Sequence, residues 1–278
     1  MKIILVTTDF SPAARNASLY GLMLAEALGA KIILFTAYYL PNRMPSLNVG
    51  ISEFSIMKDT EDKLAQEVLY LRKYSSLPID IVCDKGLPQA AIKKISIEKN
   101  ADFIIIGMKG AGQNFRKVFG STVTELIRIA DVPVIIVPEN TNFNKPDKIV
   151  FANDMNRETD IHSLNALVTF TKFFRSKLFV VKVIKTENEE IADSENISTE
   201  LRKAFGVADI EFEYPVHTEV SLALSDSIRR HNANLLVMIT YDHDWLQLLF
   251  KKSETKEMIF HSHIPILIFP PSRFIETD

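Results

Sequence analysis

Four glycines fall inside one short stretch, GMKGAGQNFRKVFGST (residues 107–122). Three of them have a definite spacing: Gly107, two residues, Gly110, nine residues, then Gly120 followed by Ser121. A residue without a Cβ leaves its backbone open to close approach by a ligand or by another piece of chain. DFIIIG (102–107) reads as a strand and TVTELIRIA after Ser121 as a helix, with Thr122 and Glu125 at capping-box spacing. Strand, loop and helix together bring amides, a hydroxyl and the positive end of a helix dipole to one place, which favours an anion. Lys109, Arg116 and Lys117 add positive charge. The plainer reading is that these glycines only serve tight turns. Neither G-x-x-x-x-G-K-[ST] nor G-x-G-x-x-G is present, so the loop matches neither familiar phosphate motif.

Short apolar runs must carry this loop: IILV (3–6), KIILFTAYY (31–39), IDIVC (79–83), DFIIIG (102–107) and VPVIIVP (132–138). Most lack alternation, as expected of strands covered on both faces of a parallel sheet. Ser11-Pro12 reads as an N-cap followed by proline at the first helical position, with the helix running to Gly29. Apolar residues three and four apart predict helices over 58–74 and 88–99. Alternation of this kind predicts a doubly wound α/β domain. The segment LPNRMPSLNVGISEFS (40–55) has no clear period and reads as a loop over the carboxyl edge of the sheet, where ligands of such sheets bind.

The pattern then starts again. KIVFANDMN (148–156) echoes KIILVTTDFS, with Asp154 in the place of Asp9. Residues 100–138 align with 232–270 without a gap, and Asn100, Ala101, Ser121, Glu125, Ile127, Pro133, Ile136 and Pro138 meet identical residues. This is the mark of a tandem repeat joined by the polar linker ENTNFNKPD (139–147). In the second copy Gly107, Gly110 and Gly120 become Ile239, Asp242 and Lys252, and only Ser121 persists, as Ser253. Side chains stand there where backbone could approach, and Asp242 and Asp244 would repel phosphate. Asp242, His243 and Asp244 with His261 and His263 could be read as metal ligands, but no zinc-type spacing supports that over a solvated surface. Trp245, Leu246, Leu248, Leu249 and Phe250 read as core or interface.

The spacing G-x2-G-x9-G-[ST], with VTTDFS before it and VPVIIVP after it, resembles the universal stress protein family, and the whole chain resembles its tandem two-domain members. The likeness is strong over 1–138 and weaker but collinear over 148–270. It implies two Rossmann-like domains of the adenine nucleotide alpha hydrolase-like kind. Residues 1–140 would keep the nucleotide loop, and 147–272 would be a degenerate copy. It also implies ATP, with or without Mg²⁺, as ligand. Gly107, Gly110, Gly120, Ser121 and Thr122 would line the phosphates, with Lys109 beside them. Thr7, Thr8 and Asp9 would sit by the nucleoside. Ala37 stands where the family usually has a valine whose backbone meets adenine, so the ring gains less apolar contact. Asp9 has a second reading as an acid that suits the N-terminus of the following helix. A bare carboxylate repels triphosphate, so a ligand role needs the base, the sugar or Mg²⁺. In the family the last strands pair across a two-fold axis. Here 132–138 and 264–270 would pair within one chain to make a pseudo-dimer, and further homodimerisation stays open.

Composition narrows the classes. A hydrophobic fraction of 47% over 278 residues supports real cores, so disorder is set aside. A net charge of −3 gives no field for nucleic acid or an acidic membrane. The single cysteine, Cys83, suits a reducing cytoplasm, and no apolar run nears the roughly 20 residues a membrane helix needs. The apolar start is too short for a signal peptide. No Ser-His-Asp set or carboxylate pair marks a catalyst, although slow ATP hydrolysis or autophosphorylation on Ser121 or Thr122 stays open. TDFSPA replaces the H-x-G-H signature of nucleotidyltransferases of related fold. The expected function is a cytoplasmic, nucleotide-binding stress-response regulator; the alternative is a scaffold for a protein or a small apolar ligand.

Overall fold

The structure, a computed structural model, describes residues 2–39, 52–109, 121–153, 161–184, 192–206, 209–239 and 264–270. The chain divides into two compact units, with the boundary between Phe143 and Asn144. No helix among the described residues is long and apolar enough to cross a membrane.

In the first unit, strands β1 (Ile3–Thr7), β2 (Lys31–Tyr38), β3 (Ile79–Lys85), β4 (Phe103–Met108) and β5 (Val134–Pro138) alternate with helices. These helices are α1 (Pro12–Leu28), α2 (Glu53–Leu71), α3 (Pro88–Glu98) and α4 (Ser121–Ile129). The five strands are parallel and ordered β3-β2-β1-β4-β5. Ile4, Leu5, Val6, Leu34, Phe35, Ile104, Ile105 and Ile136 are fully or almost fully buried, which explains their unalternating sequence. Helix α1 packs with α2, and α3 with α4; right-handed crossovers put the two pairs on opposite faces. From β1 the chain steps outward to β2 and β3, then returns across to β4 on the other side of β1. The neighbours β1 and β4 therefore form the topological switch point, where the loops part to opposite faces and leave a crevice.

Helix α1 follows its sequence signals. The Ser11 hydroxyl oxygen accepts from the Ala14 amide at 3.2 Å, Pro12 opens the helix, and Gly29 closes it in the left-handed conformation. Helix α2 departs from expectation. It starts at Glu53 rather than Lys58 and stops at Leu71 rather than Tyr74. Its first buried residue is Thr60, and Phe54, in the opening turn, is exposed. The Ser52 side chain sets the start by accepting from Ser55 N at 3.1 Å. Residues 53–55, expected in a loop, are thus helical, and the remainder of that loop, 40–51, lies outside the described residues.

The second unit contains β6 (Lys148–Ala152), α5 (Ile161–Phe174), β7 (Lys177–Val181), α6 (Ala192–Phe205), β8 (Ile210–Glu213), α7 (Val220–His231), β9 (Leu235–Ile239) and β10 (Ile266–Phe269). Its parallel strands lie in the order β8-β7-β6-β9-β10, the same order as the first unit. The register repeats as well. Ile4 opposite Phe103 becomes Ile149 opposite Leu235, and Ile104 opposite Val134 becomes Leu236 opposite Ile266.

Candidate functional site

The carboxyl ends of β2, β1 and β4 lie side by side in the first unit, and they carry most of the described candidate residues. Thr7 closes β1 and is buried; its hydroxyl donates to the Ile105 carbonyl at 3.2 Å and so ties β1 to β4. The Thr8 amide donates to the Phe35 carbonyl at 2.8 Å, while its hydroxyl oxygen accepts from the Phe10 amide at 2.9 Å. Asp9 is exposed, and its Oδ1 accepts from the Ser11 amide at 3.0 Å. Phe10 takes a left-handed φ of 64°. Thr8 and Asp9 thus hold a tight turn with their side chains, which swings the chain from the sheet edge into α1. The helix-entry reading of Asp9 therefore has a definite bond behind it. Ala37, half-buried, stands near the end of β2 opposite Asp84.

Gly107 is the penultimate residue of β4. A Cβ there would lie 2.5 Å from the Ala13 carbonyl oxygen, 2.7 Å from its carbon and 2.8 Å from Ala14 Cα. The missing side chain is what lets the first turn of α1 rest on β4. Of the two uses the bare backbone allows, close approach by protein is the one the geometry exhibits at this position. Lys109 follows β4 and is exposed. Gly110, Gly112, Arg116, Lys117 and Gly120 lie outside the described residues.

Ser121 is the first residue of α4 and is exposed, with Thr122 half-buried behind it. This corrects the capping-box reading. Thr122 sits inside the helix rather than at its N-cap, and Glu125 pairs forward with Arg128 at 3.0 Å instead of reaching back. With Thr122 helical and Glu125 engaged with Arg128, the T-x-x-E spacing there forms no capping box.

A neighbouring pair escaped the sequence reading. Arg15, in the first turns of α1, grips Glu67 of α2 through Nε at 3.0 and 3.1 Å and through Nη2 at 2.8 Å. Glu67 is 2% exposed whereas Arg15 is 48% exposed. The guanidinium lies over the Tyr70 ring, 4.9 Å from its centre. Hydrogen bonding to Glu67, then its charge, raises Arg15 above an already high basicity. The available signal was the position of Glu67 on the buried stripe of α2, with Thr60, Leu64, Val68 and Leu71. An acid on such a stripe needs a cation from a facing element.

At the matching edge of the second unit, Ala152 takes the place of Thr7 and Asn153 that of Thr8. The Asn153 amide donates to the Val181 carbonyl at 3.1 Å, repeating the Thr8–Phe35 bond. Ile239, 5% exposed, fills the position of Gly107. Lys182, just past β7, is buried, which its sequence neighbours gave no reason to expect. Asp154 and the residues proposed as metal ligands, Asp242, His243, Asp244, His261 and His263, lie outside the described residues, as do Trp245, Leu246, Leu248, Leu249 and Phe250. Among the described residues no cluster of histidine, cysteine, aspartate and glutamate could hold a metal ion.

The universal stress protein family model matches residues 1–138. No curated protein matches the chain. Among solved structures, a universal stress protein from Archaeoglobus fulgidus DSM 4304 covers 97% of this chain with 96% of its own, at a TM-score of 0.72 and 19% identity. A functionally unknown protein from Pseudomonas aeruginosa PAO1 covers 98% with 93% of its own, at a TM-score of 0.53 and 14% identity. A universal stress protein in complex with cAMP covers 49% of this chain with 96% of its own, at a TM-score of 0.39 and 22% identity. At these identities the first two likenesses are of fold alone. Through its N-terminal domain the chain belongs to the universal stress protein family.

Proposed function

We propose that this chain is a cytoplasmic stress-response regulator that binds one ATP, with Mg²⁺, at the carboxyl edge of its first unit. One observation carries the reading: the ends of β2, β1 and β4 adjoin at the switch point, where the fold opens a crevice. The base would lie against the backbone at Ala37, and the sugar or a Mg²⁺ ion would meet Asp9. The phosphates would take the amides of the 107–122 segment and the first turn of α4 at Ser121 and Thr122, with Lys109 balancing charge. Asp9 suits this use because it is exposed and its Oδ1 is held by the Ser11 amide, which orients the carboxylate. The second unit, with Ile239 in the place of Gly107, is proposed as a structural partner without that site. The domains are read as 1–140 and 147–272, with β5 and β10 as the strands of a pseudo-dimer. The output would be a change in partner binding rather than fast turnover.

The test is thermal denaturation with and without ATP and Mg²⁺. Ligand at 100 times its dissociation constant adds about 2.7 kcal/mol to stability. Gly120→Val, read in a variant that remains folded, should abolish the shift. Gly107 is unsuitable for this purpose, because α1 already needs it. An unshifted wild-type protein would favour the second reading, an interaction scaffold for a protein or small apolar ligand. That reading has its own observation: the packing of α1 accounts for Gly107 without any ligand.

A further inference from the structure

The last turn of α7, in the second unit, holds a polar cluster that the shared fold does not require. His231 closes the helix, and its Nε2 is hydrogen-bonded to Oε1 of Glu213, the last residue of β8. Both side chains are only 16% exposed. The His231 ring stacks on that of Phe179 in β7, with centroids 3.7 Å apart and 16° between the planes. One turn earlier, the buried Ser227 hydroxyl donates to Glu213 Oε2 at 2.9 Å. The first unit supplies a comparison. The Asn153–Val181 bond matches Thr8–Phe35, and the bonds closing α7 at Asn232 and Ala233 match those closing α3 at Asn100 and Ala101. Phe179, Glu213, Ser227 and His231 therefore stand where the first unit has Ile33, Val82, Ile95 and Lys99. One copy thus builds this corner with aliphatic side chains, the other with a carboxylate, a hydroxyl and an imidazole. Largely buried charge stabilises less than aliphatic packing of similar volume, so packing alone does not call for the exchange.

We infer that His231 and Glu213 form a proton-sensitive latch between α7 and strand β8, one that tightens on mild acidification. Histidine is the side chain whose ordinary titration falls between pH 5 and 8. A neutral imidazole gives a carboxylate one ordinary hydrogen bond, and an imidazolium gives it a charge-assisted one. The carboxylate, the C-terminal end of the helix dipole and the Phe179 ring face all attract a cation at this position. Other cations nearby have acids of their own. Lys177, 5.3 Å from the Phe179 ring centre, pairs with Glu211 at 2.6 Å and Asp209 at 3.5 Å, and Arg229 pairs with Asp226. Among the described residues Arg230 shares Glu213, at 3.4 Å, but it is 59% exposed and screened by water. On the β6 side, Lys148 and the preceding Asp147 engage Asn234, past the end of the helix, and the facing residues of β9 are apolar. In the second unit β8 has β7 as its strand neighbour, so links to helices supply the rest of its hold. This inference does not rest on the ATP reading.

Hydrogen–deuterium exchange on the full chain without nucleotide tests it, reading peptides that cover 209–214 at about pH 5.5 and about pH 8, either side of histidine's ordinary value. Both conditions lie above the ordinary carboxylate range. The sign follows from linkage: an imidazolium that gains a carboxylate on folding adds stability at acid pH, and that stability is lost as pH rises through the imidazole titration. His231→Gln, compared with wild type at the same pH, should speed exchange about fivefold more at the lower pH than at the higher. That is roughly the difference between a charge-assisted and a neutral hydrogen bond. In a Glu213→Gln background the pH difference should vanish, which isolates the pair from every other titrating group. If the double variant does not fold, the single variant at the two pH values decides. An effect of His231→Gln that is equal at both pH values, or larger at the higher, would overturn the inference. So would a pH difference that persists without the Glu213 carboxylate.

Discussion

Gly107 shows how one residue can be legible in type while its packing partner stays hidden. Its glycine identity demanded close approach by something, and the spacing to Gly110 and Gly120 suggested a ligand. Ala13 and Ala14 of α1 lie against it, a contact between residues more than 90 positions apart that no local pattern signals. Gly107→Ala should therefore cost about 1–3 kcal/mol in urea denaturation without nucleotide, since the clashing atoms are backbone and cannot turn aside. A loss that appears only when ATP is added would contradict this. Tyr20 offers a second test. Burial raises its phenol pKa far above the ordinary range, so it stays neutral in the fold. Its contribution is fully present below the unfolded tyrosine pKa of about 10 and is lost as pH rises toward the raised folded value. Tyr20→Phe should flatten the fall in stability above that pH, measured by urea midpoints across an alkaline series. Thr8 and Asp9 were marked from sequence for a ligand, yet the bonds to Phe10 and Ser11 that shape the turn were invisible until φ at Phe10 was known.

At the scale of elements, the strands were readable because burial on both faces writes them as unbroken Ile, Leu and Val runs. Helix α1 was readable to the residue because Ser11, Pro12 and Gly29 are local devices that work without tertiary help. The start of helix α2 was not, because its first turns contribute no fully buried residue before Thr60 and adjoin an aperiodic segment. The T-x-x-E spacing in α4 misled for a related reason: a cap depends on where the backbone turns, not on residue types alone. The Arg15–Glu67 link joins α1 to α2 and was unreadable because it pairs residues 52 positions apart. Arg15→Met leaves a buried carboxylate without its cation and should destabilise by about 1–3 kcal/mol, the lower part of the range reflecting a half-exposed guanidinium screened by water. Arg15→Met combined with Glu67→Met should recover much of that loss, because an apolar pair can replace a buried ion pair. A double variant as weak as the sum of its parts would show that no such coupling exists.

For the whole molecule, residues 100–138 and 232–270 match without a gap, and the strand registers of β4-β5 and β9-β10 coincide. The shared order of strands could not be read, since order depends on crossovers rather than on residue pattern. Equal folds do not make equal sites: Ile239 is buried where Gly107 stands, and Ala152 and Asn153 replace Thr7 and Thr8. Equilibrium dialysis with ATP and Mg²⁺ should accordingly give one nucleotide per chain, and two equivalent sites would contradict the proposed division of labour.

The contact between Ala13 and Gly107 reaches past this chain. A fingerprint search that keys on that glycine is scoring the seating of a helix together with any grip on a nucleotide. In the first unit that glycine is needed to seat α1, so its presence there is no separate vote for a nucleotide.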